Sequence, residues 1–220
     1  VHRGRRPDWA DLMRLVVITA HEKDLGRQHE DVAAAALAGG CRAVQFRSKT
    51  MSDRAFMDLA RRIQVMCLEV GAIFFVNDRV HVAAALDSEV HLGFNDMGVA
   101  AARKVLGPGT IIGYSPESIG EAREAVSAGA DYLGIGSVFP TESKADAGEP
   151  IGLDGLARMC GDGLAPVIAV GGVNAGNAAS VVAAGAKGIA VITAVSRASD
   201  MKEATEGLMK AFSDGIREES

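Results

Sequence analysis

From residue 15 onward the chain alternates short apolar runs with longer alanine-rich or amphipathic ones, and it does so eight times. The apolar runs lie at 15–19, 43–46, 73–76, 89–92, 110–113, 132–136, 167–170 and 188–192. Helical patterns separate them, at about 29–38, 52–70, 80–86, 96–106, 115–128, 150–161 and 174–184, with a last one at 201–215. Strands joined by helical crossovers must run parallel. Eight such units predict an α/β fold, a closed (β/α)8 TIM barrel in a single domain at 15–220, preceded by an arm and short helical turn at 1–14. An open doubly wound sheet is the alternative. Against it, no Gly-x-Gly-x-x-Gly turn follows the first strand.

Composition suits this reading. Hydrophobic residues make up 48% of the 220 residues, aromatics only 5%. Ala, Val and Gly fit strands covered on both faces. The net charge of −5 speaks against a nucleic-acid partner, so any anionic ligand must be drawn by a local cluster. Cys41, Cys67 and Cys160 have no Cys-x-x-Cys spacing and read as buried apolar residues of a reducing, cytoplasmic compartment. No apolar run approaches the ~20 residues of a membrane span, and no apolar core follows the basic residues 1–6 as a secretory signal needs. The oligomeric state stays open, a homo-oligomer included.

In a barrel, the C-terminal tips of all strands open onto one face, where active sites sit. The tips here are polar. Strand two runs out through Gln45-Phe46-Arg47-Ser48-Lys49. Period-two alternation puts Gln45, Arg47 and Lys49 on one side, an amide and two cations suited to a diphosphate; a solvated rim is the alternative. Asp78 after strand three and Asp96 after strand four are oxygen donors of the kind Mg2+ takes, although each precedes a helix and would also serve as an N-cap. Ser115, followed by Pro116, reads as an N-cap whose helix offers N–H groups to an anion. Strand six leads into Ser137-Val138-Phe139-Pro140 and the polar tip Thr141-Glu142-Ser143-Lys144. Gly171-Gly172 after strand seven and Ile192-Thr193 after strand eight lie where barrels often bind phosphate; a plain turn is the alternative for the glycine pair. His91, within strand four, reads as a packed core imidazole, and no Ser–His–Asp set or metal-spaced histidine cluster is visible.

Taken in order, these tips resemble the thiamine phosphate synthase family. The resemblance rests on Gln45-Phe46-Arg47-Ser48-Lys49, Val76-Asn77-Asp78-Arg79, His91-Leu92-Gly93-Phe94-Asn95-Asp96, Gly113-Tyr114-Ser115, the stretch 131–144, Val170-Gly171-Gly172-Val173 and 188–194. It implies condensation of 4-amino-5-hydroxymethyl-2-methylpyrimidine diphosphate with 4-methyl-5-(2-phosphoethyl)thiazole, giving thiamine phosphate and pyrophosphate with Mg2+ as cofactor. It further implies that Gln45, Arg47, Lys49, Asn77, Ser115 and Lys144 hold the pyrimidine diphosphate. Asp78 and Asp96 hold Mg2+, and Thr141, Ser143, Gly172, Ile192 and Thr193 hold the thiazole phosphate. The segment 145–148 is expected to act as a lid. Three positions depart from the family pattern: Phe94 stands where Gln is usual, Ala20 where an acidic residue often follows strand one, and Ser143 where Thr is common. A thiazole tautomerase on the same barrel would carry a His two residues after Ser115, where this chain has Glu117. A non-catalytic phosphate-binding barrel would have lost Arg47, Lys49, Asp78 or Asp96, and all four are present. A sugar-phosphate epimerase would show metal histidines that are not evident.

Overall fold

A computed structural model describes residues 9–141 and 149–218. Its eight strands are β1 (Leu15–Ile18), β2 (Ala43–Phe46), β3 (Ile73–Asn77), β4 (Glu89–Gly93), β5 (Ile112–Ser115), β6 (Tyr132–Ile135), β7 (Val167–Val170) and β8 (Gly188–Val191). They close in chain order into one parallel barrel, with β8 returning to β1 through the pairs Leu15↔Ile189, Val16↔Ala190 and Val17↔Val191. The helices are α1 (Trp9–Leu12), α2 (His29–Ala38), α3 (Asp53–Glu69), α4 (Val80–Leu86), α5 (Val99–Leu106), α6 (Ile119–Ser127), α7 (Gly152–Gly161), α8 (Ala178–Ala183), α9 (Thr193–Ser196) and α10 (Met201–Glu218). The expected (β/α)8 barrel is therefore the fold observed.

Strand alternation divides the core. Leu15, Val17, Val44, Phe46, Phe74, Val76, Val90 and Leu92 point outward, into two apolar layers beneath the helices. The intervening Val16, Ile18, Ala43, Ile73, Phe75, Tyr132, Ile168 and Ala190 fill the barrel itself. By the same alternation Gln45, Asn77, His91 and Ser115 point inward, towards the C-terminal mouth. Bulk inside the barrel is matched to gaps. A side chain on Gly113 would place its Cβ 2.1 Å from the Tyr132 ring, and one on Gly134 would meet both His91 and Ser115 at 2.9 Å. The opposite end is plugged by α1: Met13 is fully buried, and the Trp9 ring lies 6.5 Å from that of Tyr132.

Several boundaries differ from those expected, each for a local reason. β5 starts two residues later than 110, because Thr110 is committed to the preceding turn, where its carbonyl accepts from Arg103 and its hydroxyl donates to the Leu106 carbonyl. Ser115 is not an N-cap. It pairs with Gly93 as the last residue of β5, and the cap of α6 is Ser118, whose hydroxyl accepts from the Glu121 N–H. α8 begins four residues later than 174, since Asn174 and Asn177 bond backbone N–H groups of their own turn instead. α5 begins at Val99, behind Gly98. Ser52 does cap α3, accepting from the Ala55 N–H. α9 has no counterpart in the sequence pattern, being only four residues long.

Candidate active site

The strand tips surround one cavity of about 1600 Å3. That exceeds the ~300–1,000 Å3 of a pocket for one small ligand and suits two. Arg47, Lys49, Asn77, Asp78 and Asp96 line one side. Thr141, Gly172, Ile192 and Thr193 line the other, and Ser115 lies on the wall with them. Gln45 sits one layer deeper. It is buried and borders a small cavity of about 20 Å3 on the barrel axis, whose walls His91 and Ser115 share with the large one. Ser143, Lys144 and the expected lid at 145–148 lie outside the described residues.

On the cationic side, the Lys49 ammonium is 2.5 Å from the Asp78 carboxylate. The loop carrying Lys49 is held by Arg79, which donates to the Met51 carbonyl at 2.6 Å, pairs with Asp53 at 2.8 Å, and lies 4.2 Å over the Phe56 ring. Arg47 reaches the cavity with no ion-pair partner among the described residues, which leaves its fork free for an anion.

Neither candidate metal carboxylate caps a helix. The residue preceding α4 is Arg79 and that preceding α5 is Gly98. Asp78 instead takes a left-handed backbone, φ 65°, which turns the chain sharply after β3. The Asp96 carboxylate accepts from the Gly93 N–H at 2.7 Å, folding the β4 tip back over the strand end. Burial, with a hydrogen bond shared with Asp78, pushes the Asp96 carboxyl up to about 6. Two carboxylates side by side at a mouth facing cations are oxygen donors of the kind a divalent ion takes. Among the described residues no group of three or more His, Cys, Asp or Glu side chains forms a closed metal cage.

His91 departs from its expected role as a core imidazole. It is half-buried, with Nε2 2.9 Å from the Ser115 hydroxyl and Nδ1 2.9 Å from the Tyr132 hydroxyl. Both ring nitrogens are thus engaged in orienting the wall. Alternation along β4, with Val90 and Leu92 outward, points this side chain into the barrel.

On the phosphate side, Gly171 and Gly172 have φ values of 92° and 67°. The β6 and β7 tips run against each other there, with Val138 N–H donating to the Val170 carbonyl and Phe139 N–H to that of Gly171. A Cβ on Gly171 would fall 2.3 Å from the Ser137 hydroxyl, and one on Gly172 2.6 Å from Phe139 Cβ. Loop packing alone therefore requires both glycines, whatever they bind. Thr193 opens α9, a short extra helix after β8, the arrangement with which barrels often take phosphate.

Among the lining residues the sequence reading missed is an ion pair. Glu22 and Arg197 reach the cavity from the loops after β1 and β8, and they pair with each other at 2.6 Å. Phe94 also lines the mouth, with 54% of its surface exposed.

The thiamine monophosphate synthase family model matches residues 15–195. The thiamine-phosphate synthase of Moorella thermoacetica is 42% identical over 203 residues, 92% of this chain and 95% of that one. That of Chloroflexus aurantiacus is 44% identical over 202 residues, 91% of each chain. The solved thiamine phosphate pyrophosphorylase from Pyrococcus furiosus superposes with a TM-score of 0.85 at 40% identity, covering 94% of this chain and 98% of its own. With motifs, barrel and mouth in agreement over nearly its whole length, this chain belongs to the thiamine monophosphate synthase family.

Proposed function

We propose that the mouth cavity binds the pyrimidine diphosphate and the thiazole phosphate together and joins them by a dissociative, Mg2+-assisted substitution. The chain is a transferase of thiamine biosynthesis, as its family is. The carrying observation is the division of one cavity between a cationic and carboxylate side and a glycine-bounded side ending in α9. Arg47, Lys49, Asn77 and Ser115 face the diphosphate, with Lys144 as a further donor. Gln45 and His91 bound the floor below it. Asp78 and Asp96 would hold Mg2+, which supplies Lewis-acid charge on the leaving diphosphate. Thr141, Gly172, Ile192 and Thr193 face the thiazole phosphate, and Ser143 is assigned to it by the family resemblance alone.

The C–O bond of the pyrimidine methylene breaks and its electron pair leaves with the diphosphate. The ring spreads the resulting positive charge. Arg47 and Lys49 stabilise the departing anion by preset charge. The thiazole nitrogen then gives its lone pair to the methylene carbon. No proton has to be removed, so the engaged His91 is no handicap. What remains for the protein is to align the two rings and keep water from the cation. A tautomerase of this barrel would carry a His where this chain has Glu117, and both nitrogens of His91 are already hydrogen-bonded within the wall.

The test is to supply both phosphorylated precursors with Mg2+ and assay thiamine phosphate and pyrophosphate. Asp78→Ala and Asp96→Ala should each abolish Mg2+-dependent turnover while thiazole phosphate still binds, read by calorimetry. A folded protein that makes no product removes the proposed reaction; turnover that survives both substitutions removes the metal assignment.

A further inference from the structure

α9 comprises only Thr193–Ser196. A helix of that length has no stability of its own, so its position must be imposed from outside. The outside support is a set of charged side chains on the loop after β1. Arg27 donates from Nη1 to the Ser196 carbonyl at 2.7 Å, across 169 residues of chain, and from Nη2 to the Ser199 carbonyl at 3.4 Å. The Ser196 hydroxyl, fully buried, donates to Glu22 at 2.6 Å. Arg197 pairs with Glu22 at 2.6 Å and with Asp24 at 2.5 Å. The loop offering these groups is itself pinned, because Glu22 and Arg27 exchange backbone hydrogen bonds in both directions. Gly26 turns the loop with φ 65°.

We propose that Arg27 is a positioning residue for the thiazole phosphate: by holding the last carbonyl of α9, at Ser196, and that of Ser199 just beyond it on the β1 loop, it fixes Ile192 and Thr193 at the other end of that helix. The proposal rests on the reading that these two residues hold the phosphate. Arg27 does not line the cavity and acts only through α9. Arg197 has a companion task. Glu22 reaches the cavity and its side chain is 12% exposed, so its carboxylate would repel a nearby phosphate. Arg197 neutralises it and is consumed in doing so, which makes this guanidinium a clasp for the loop and not an anion ligand.

Arg27→Met, Arg27→Lys and Thr193→Glu are assayed in parallel, with KM for each substrate, kcat and thermal midpoint. Thr193 is exposed at the first position of α9, where a carboxylate is tolerated by the fold but opposes an anion. Arg27→Met is expected to raise KM for the thiazole phosphate about tenfold, the scale of one lost hydrogen bond from a charged group. KM for the pyrimidine diphosphate should stay within about twofold, since only one end of the cavity is disturbed. Arg27→Lys keeps one donor and should recover most of the loss. If Arg27→Met fails to fold, the lysine variant carries the same test through its smaller but equally one-sided shift. Equal shifts in both KM values, or none, while Thr193→Glu weakens thiazole phosphate, overturn the positioning role alone. A Thr193→Glu protein with unchanged KM for thiazole phosphate removes the phosphate site, and the role of Arg27 with it.

Discussion

At the residue scale, Asp96 gives the metal-free protein a pH-dependent contribution to stability. Asp96 is held up to about 6, first by burial and then by the hydrogen bond with Asp78. Its value in the fold lies above that of the unfolded chain. The stability it contributes is therefore complete below about pH 4 and is lost as pH rises through about 6. Asp96→Asn mimics the protonated carboxyl and can still accept from Gly93. Without Mg2+, it should stabilise the fold at pH 8 by about 1 kcal/mol after solvent screening of this half-exposed group, and by nothing at pH 4. Urea denaturation at the two pH values measures this. A gain that is the same at both would show that Asp96 is not the titrating group. The types of these two residues were legible in the sequence, but the choice between cap and ligand was not, because capping depends on where α4 and α5 begin.

At the scale of elements, the tips of β6 and β7 form one unit. Gly171 was legible as a phosphate-friendly residue, and the structure adds a reason that comes first. With φ at 92° and Ser137 Cα 2.7 Å from where a Cβ would stand, alanine here must displace backbone. Gly171→Ala should cost about 2–4 kcal/mol, combining backbone strain with overpacking, and should raise KM for thiazole phosphate as the Ser137–Thr141 stretch moves. A thermal melt within a degree of the parent would refute the packing argument. α9 belongs to this scale too. Four residues give no periodic pattern, so no reading of the sequence alone finds it.

At the scale of the whole molecule, the barrel separates stability from chemistry. α1 and Met13 close the end opposite the mouth, with Trp9 against Tyr132. Trp9→Ala should lower stability by about 2 kcal/mol, less than for a fully buried ring because Trp9 is only partly covered. Both KM values should stay unchanged, with stability followed by circular dichroism. A change in KM without a change in stability would mean that the plug communicates with the mouth through Tyr132, His91 and Ser115. Among the described residues no helix is long and apolar enough to cross a membrane.

The sequence by itself determined the eight-fold alternation, and with it the parallel closed barrel and the polarity of every tip. Those follow from local periodicity, which each segment carries alone: Val16 and Val17 face opposite sides of the sheet wherever the strand is placed. It also determined the family, through the order of the tips. Only the tertiary structure decided which polar residues share a volume and which are already committed. Ser115 turned from a helix cap into a wall residue bonded to His91, Glu22 entered the cavity from a loop the motifs ignore, and Arg27 met Ser196. These pairings join residues far apart in the chain, and such contacts exist only once the barrel has closed and brought all eight tips to one mouth.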